Sequence, residues 1–280
     1  MSKHWTLDDI DWDGFQPSLV DPQLLATIKT AAMVEGNAAD YVTYLLNVFE
    51  GDDAFTAVVH EWGEEEKQHG LALGRWAELA DPTFNYQDSL QRVQDDGYQL
   101  PLEVSESVRG SRQGELLARC LVESGTTSFY SAIRDSAQEP VLADIAKRIA
   151  ADEVRHYSLF RRHLERYQES QKKLGILERI KIIAGRINES DDDEFAYAYF
   201  ATNLAGQDGA EYDRAYCATA YESHALGLYQ RNHMELGAQM IMRSLGFKPD
   251  SRTSRMVVPI MWSLFDRRRR KLSRAAAQFG

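Results

Sequence analysis

Hydrophobic and polar positions alternate with a helical period over long stretches of this chain. In four of those stretches the apolar stripe is interrupted by acids and imidazoles. One stripe reads Ile28, Glu35, Val42, Leu46, Phe49, and a second reads Val58, Trp62, Glu66, His69, Leu73, Trp76. A third reads Leu116, Cys120, Glu123, Thr127, Tyr130, and a fourth Val141, Ile145, Ile149, Glu153, His156, Phe160, Leu164. Such spacings place each set on one face of an α-helix, the face that turns towards a core. A carboxylate on that face is costly unless it is paired, so the interruptions are the informative positions.

They form one pattern that occurs twice: Glu35 followed by Glu66-x-x-His69, and Glu123 followed by Glu153-x-x-His156, with the two glutamates of each copy 31 and 30 residues apart. In an antiparallel helix pair, residues at equal height are equidistant from the turn. The midpoints fall near Glu50-Gly51-Asp52-Asp53 and beside Glu139-Pro140, residue types that break helices. Each copy therefore predicts a hairpin that holds its Glu opposite its own Glu-x-x-His, with the ligands about 20 Å from the turn at a rise of roughly 1.5 Å per residue. Four carboxylates and two imidazoles converging in mid-bundle are the ligand set of a carboxylate-bridged dimetal site in a four-helix bundle. Of Glu61, Glu64, Glu65 and Glu66, only Glu66 precedes His69 by three residues. The predicted metal ligands are Glu35, Glu66, His69, Glu123, Glu153 and His156.

The chain reads as a single all-α domain. Residues 1–20 are an acidic arm with Trp5, Trp12 and Phe15, packed partly on the bundle. Asp21-Pro22 combines an N-cap with a proline at the first helical position. The core, residues 21–168, has helices to about 50, over 53–80, 113–137 and 140–168, with 81–112 as a crossover carrying a short helix near 86–94. Residues 169–280 supply three additional helices. Over 172–187, Leu174, Ile176, Leu177, Ile180, Ile183 and Ile187 interleave with basic residues, which we read as a helix capping the bundle in preference to one lying on a membrane or a partner. Tyr212, Tyr216, Tyr221 and Tyr229 read as packing, and His224 and His233 lack a ligand pattern.

Charge refines the picture. The net charge of −11 argues against general nucleic-acid binding. It is uneven: residues 251–280 carry eight basic side chains and one acid, Asp266, for +7, leaving −18 on the rest. The run Arg267-Arg268-Arg269-Arg270-Lys271 reads as a solvated helix end, as a docking patch for an acidic protein, or as a contact for anionic lipid. No apolar run approaches the roughly 20 residues of a membrane span. The opening residues are not a signal peptide, and two cysteines form no disulfide framework. The expectation is a cytoplasmic protein.

Trp62-Gly-Glu-Glu-Glu66-Lys-Gln-His69-Gly70 and Ile149-Ala-Ala-Asp152-Glu153-Val-Arg-His156 resemble the two ligand helices of soluble acyl-carrier-protein desaturases, members of the ferritin-like di-iron oxidases. The likeness extends to Tyr41, six residues after Glu35, to Trp62, four before Glu66, to Thr126, three after Glu123, and to Asp152. It covers roughly residues 30–160; the chain is shorter than the plant-type enzymes, and residues 170–280 do not match. The resemblance implies a ferritin-like bundle in which Glu35, Glu66 and His69 serve one iron and Glu123 and His156 the other, with Glu66 and Glu153 as bridges. Iron–manganese or manganese alone also suits oxygen and imidazole ligands. It further implies O2-dependent removal of hydrogen from an unactivated C–H bond of a long-chain acyl group on acyl-carrier protein, electrons from a ferredoxin-type donor, and a homodimer. Three residues gain outer roles: Asp152 orients a ligand imidazole, Thr126 relays a proton, and Trp62 passes electrons; Glu65 occupies the equivalent place before Glu66. Hydroxylation or oxidation of another small molecule, and an iron-binding protein of the ferritin or rubrerythrin kind, are the alternatives.

Overall fold

In a computed structural model, which describes residues 4–189, 193–207 and 209–276, the chain is all-helical, with no strand among the described residues. Three short 3-10 turns in the arm precede α1 (Pro22–Gly36), α2 (Ala38–Val48), α3 (Asp53–Ala80), α4 (Tyr86–Asp96), α5 (Arg112–Ser136) and α6 (Pro140–Ser170). Five more helices follow: α7 (Ile176–Glu189), α8 (Asp193–Asn203), α9 (Arg214–Gly227), α10 (Arg231–Ser244) and α11 (Arg252–Ala276).

The helix starts follow from local chemistry. The Asp21, Asp52, Asn85, Ser111 and Glu139 side chains each accept a backbone N–H from the first turn of the helix they precede, satisfying a donor that the helix itself leaves unpaired. The turn into α3 passes through Gly51 at φ +81°, a conformation that glycine adopts without steric cost.

The α1–α2 arm packs along α3, α5 along α6, and α3 meets α6. The expected hairpins are thus present, with turns at 49–52 and 137–139. The apolar interior falls into two main clusters. One contains Ile28, Met33, Leu73, Trp76, Ile133, Ile145 and Ile149. The other contains Leu45, Phe49, Phe55, Leu116, Phe160 and Leu164. In sequence the six predicted ligands fall between the members of one cluster and those of the other on every core helix, so the ionisable layer divides the core. Outside it, α10 and α7 pack on α5, α8 and α9 on α1, and α11 on α9 and α10.

Two expectations are corrected. The first helix is not continuous to residue 50; it breaks at Asn37 (φ −86°, ψ 21°), directly after Glu35-Gly36. The region after residue 170 holds five helices, not three, because turns around Gly209 (φ +76°) and Gly246 (φ +97°) divide what hydrophobic periodicity alone joins. The arm packs as expected, with Trp5, Trp12 and Phe15 against the first cluster. No helix among the described residues is long and apolar enough to cross a membrane.

The break at Asn37 coincides with a close backbone crossing. A Cβ on Gly70 would lie 2.6 Å from the Gly36 nitrogen and 2.7 Å from its Cα. The Tyr86 side chain of α4 lies against Gly36, Gly70 and Gly74. Backbone cannot yield as a flexible side chain can, so Gly70→Ala must push α1 away from α3. We expect a loss of about 1–3 kcal/mol, the usual cost of overpacking, read as a lower melting temperature without loss of helical circular dichroism.

Candidate metal centre

Each predicted ligand lies on an apolar stripe, so folding the hairpins brings all six inward. Two groups result. Glu35, Glu66, His69 and Glu153 offer ligand atoms within 4.8 Å of one another, and so do Glu66, Glu123, Glu153 and His156. Glu66 and Glu153 belong to both. Glu35 with His69, and Glu123 with His156, belong to one group each. All six are buried, whereas Glu61 and Glu64 are exposed and Glu65 is intermediate. The ambiguity among neighbouring acids on α3 is thus resolved by which face turns inward.

The imidazoles are arranged alike. His69 Nε2 lies 3.0 Å from Asp152 Oδ2, and His156 Nε2 lies 2.6 Å from Glu65 Oε2. An outer carboxylate on Nε2 holds the proton there and leaves Nδ1 as the ligating nitrogen. His69 Nδ1 faces Glu153 at 3.3 Å and Glu35 and Glu66 at 3.8 Å. His156 Nδ1 lies 2.9 Å from Glu66 Oε1 and 3.6 Å from Glu123, without the alignment of a hydrogen bond. Both Nδ1 atoms and Glu153 Oε1 are buried with no hydrogen-bond partner. Buried polar atoms are rarely left so: His69 Nδ1 and Glu153 Oε1 face each other in the first group, and His156 Nδ1 faces the second. One cation in each group would satisfy them, so the residues present fit a pair of metal ions.

Outside this set, Asp152 accepts from the Trp5 indole at 2.7 Å and from Arg155 at 2.6 Å. Arg155 also reaches Glu65 at 3.3 Å, so one guanidinium ties the two outer carboxylates together. Trp5 stacks nearly parallel to His69 (6° between planes, centroids 6.0 Å apart), and Gln68 holds the Trp5 carbonyl at 2.9 Å. The Tyr130 hydroxyl donates to Glu35 Oε1 at 2.5 Å, leaving Oε2 to face the centre. Thr126 donates to Glu153 Oε2 at 2.5 Å and also approaches the Val122 and Glu123 carbonyls at 3.3 Å.

Asp152 and Thr126 thus each touch one of the six predicted residues, His69 and Glu153 respectively. Trp62 packs edge-on against Phe160 at 5.5 Å with its indole nitrogen unpartnered; its surroundings are those of core packing. Tyr41 bonds Glu194 at 3.0 Å, away from the six ligands. His233 is held by Asp135 at 2.9 Å and belongs to no metal-type group. Tyr130, Trp5, Arg155 and Glu65's exact partner were not assigned from sequence. Tyr130 carried a signal, lying seven residues after Glu123 on the same stripe. Trp5 carried none, since its partner Asp152 is 147 residues away.

Electrostatics in the metal-free protein follow from burial and crowding. Burial, then Glu66, raises Glu35 to about 8. Burial and the neighbouring carboxylates also raise Glu123 and Glu153. Burial acts to raise Glu66 too, but His156 and His69 outweigh it and hold it well below the usual range. Burial opposes charge on both histidines, yet the carboxylates around them (Asp152 first for His69, Glu123 first for His156) raise both well above their ordinary value.

No protein-family model matches the chain, and no curated protein matches it.

The signs give a pH dependence. Groups whose folded pKa is raised stabilise the fold below their unfolded pKa and lose that contribution as pH rises through the folded one. For Glu35 the window runs from about 4.5 to about 8, and the histidines act in the same direction above about 6.5. The metal-free protein should therefore melt at progressively lower temperature from pH 6 to pH 9. Metal replaces the protons, so divalent ions should flatten that slope, which a pH series of thermal melts with and without metal checks.

Proposed function

We propose that this chain is an O2-dependent, carboxylate-bridged dimetal oxidase with a ferritin-like four-helix core, and that it removes two hydrogens from a long-chain acyl group carried on acyl-carrier protein. The observation that carries the reading is the pair of four-residue groups sharing Glu66 and Glu153. Two separate sites would not share ligands, and a structural salt-bridge cluster would not leave both Nδ1 atoms and a carboxylate oxygen unsatisfied.

In this reading Glu35 and His69 would hold one ion, Glu123 and His156 the other, with Glu66 and Glu153 available to both. When bound, two iron ions, or a pair including manganese, would supply O2 reduction and the oxidising power to break an unactivated C–H bond, with electrons from a ferredoxin-type donor. The chain's own groups prepare the site. Asp152 and Glu65 fix the imidazole protons on Nε2 and raise the basicity of Nδ1. Tyr130 donates to one oxygen of Glu35, which would leave the other oxygen to hold an ion. The Thr126 hydroxyl donates to Glu153 with 2.5 Å between the oxygens, so its proton is held where it can be passed inward; its contacts to helix carbonyls are the ordinary back-bonding of a helical threonine. The apolar clusters on either side exclude water.

The shared and unshared ligands make a stoichiometric prediction. Glu66→Ala and Glu153→Ala should each lose both metal equivalents, whereas Glu35→Ala and Glu123→Ala should retain about one. Elemental analysis of the purified variants measures this, and two equivalents retained by either bridging variant would refute the assignment.

Turnover tests the reaction. The reduced, iron-loaded protein, given ferredoxin, its reductase and saturated acyl-carrier proteins, should yield a product two mass units lighter. A gain of sixteen units identifies a hydroxylase. Rapid O2 consumption without either change moves the substrate elsewhere and leaves the metal centre standing, and many irons per chain would mark a storage protein.

A further inference from the structure

Helix α11 has an exposed face that is both apolar and basic. Its inner side buries Ser254 and Val258 and packs on α9 and α10. Its outer side presents Met256 (70% exposed), Ile260 (56%) and Leu264 (59%) in a row. At 100° per residue, Arg252, Arg267, Lys271 and Arg274 fall within about 60° of that row. None of these four cations makes an ion pair among the described residues. Asp266, the one acid of α11, is taken up by Arg269 and Arg270. Three large apolar side chains in line with cations, on the outside of a chain that is otherwise strongly acidic, are not a solvated helix end.

A second helix repeats the composition. On α7, Leu177 is 79% exposed, with Ile176 and Ile180 beside it, and Lys172, Lys173 and Lys181 nearby in sequence. The two helices are joined at one place. Arg179 of α7 donates to the Leu245 carbonyl at 3.2 Å, in the turn that leads towards α11. A cavity of about 400 Å³ opens there, lined by Arg161, Arg179, Arg243 and Lys248 with Glu165 as its one acid. Glu165 is paired with Arg161, while Arg243 and Lys248 make no ion pair among the described residues.

We propose that α11, with α7 and the cationic cavity between them, docks this protein on the surface of an anionic phospholipid bilayer. An acidic protein partner accounts for the cations but not for the apolar row. A second copy of the chain accounts for the apolar row but would bring like charges on α11 together across a two-fold axis. A bilayer with anionic headgroups satisfies both, because apolar side chains enter the acyl boundary while cations meet phosphate. The cavity is the place for a single headgroup, its cations around the phosphate. The inference does not rest on the metal centre, and binding should be the same with or without metal.

Flotation of the full chain with vesicles tests it. The protein should float with vesicles of equal parts phosphatidylglycerol and phosphatidylcholine, stay behind with phosphatidylcholine alone, and release as salt is raised. At roughly a fivefold change per cation, Arg267→Gln with Lys271→Gln should weaken partitioning about thirtyfold. Ile260→Glu with Leu264→Glu should abolish it. All four positions are exposed, so melting temperatures should be unchanged, and Leu177→Glu provides an independent variant on α7. Failure to float with anionic vesicles would overturn the proposal, as would binding insensitive to the apolar substitutions. So would a wild-type dimer that the Ile260→Glu, Leu264→Glu variant renders monomeric while vesicle binding is absent.

Discussion

The constraint on which this structure depends is charge balance within one buried layer. Four carboxylates and two imidazoles lie between two apolar clusters. At an effective dielectric of 20, two like charges about 4 Å apart repel by roughly 4 kcal/mol, so the acids cannot all be ionised there unaided. The chain offers two ways out. Protons can sit on Glu35, Glu123 and Glu153 and on both histidines, as the raised pKa values require, or two divalent ions can supply four positive charges at once. Sign alternates outward from the centre: carboxylates, imidazoles, the carboxylates of Asp152 and Glu65, and then the guanidinium of Arg155.

Two other buried acids show what an ordinary structural carboxylate looks like in the same protein. Glu139 caps α6, accepts from the Trp76 indole at 2.7 Å and holds the Gln16 amide of the arm. Glu115 accepts from Tyr44 and Ser107 at 2.9 and 2.8 Å. Glu139 is satisfied by neutral donors alone, and Glu115 has the Arg119 guanidinium beside it at 3.4 Å as well. The layer of six differs because its members have one another as neighbours and leave three atoms without a partner.

The convergence of these six residues was legible in the sequence because helical periodicity and hairpin symmetry are both one-dimensional rules. An acid on an apolar stripe, paired with another at equal distance from a turn, has only one place to go. Asp152 was legible through the family resemblance, and Glu65 through holding the same place before Glu66 that Asp152 holds before Glu153. The arm was not legible in this way. Trp5 finds Asp152 through tertiary packing, and nothing in its local sequence announces the partner. The break after Glu35 was hidden for a different reason: the stripe Ile28–Phe49 keeps its period across Asn37, and what interrupts it is the crossing of α1 over Gly70, a contact between distant segments. The number of helices beyond residue 170 was underestimated because glycine turns there separate segments of the same apolar character.

That crossing bears on the spacing within the buried layer. Glu35 is followed at once by Gly36 and His69 by Gly70, so two members of the same four-residue group are each anchored beside a point where backbone approaches backbone. Side chains can adjust, but this contact has no slack. The span between the carboxylate and the imidazole is thereby set by main chain, like the jaws of a calliper. A change at either glycine would therefore be felt first at Glu35 and His69, the two members of the layer that stand next to the crossing.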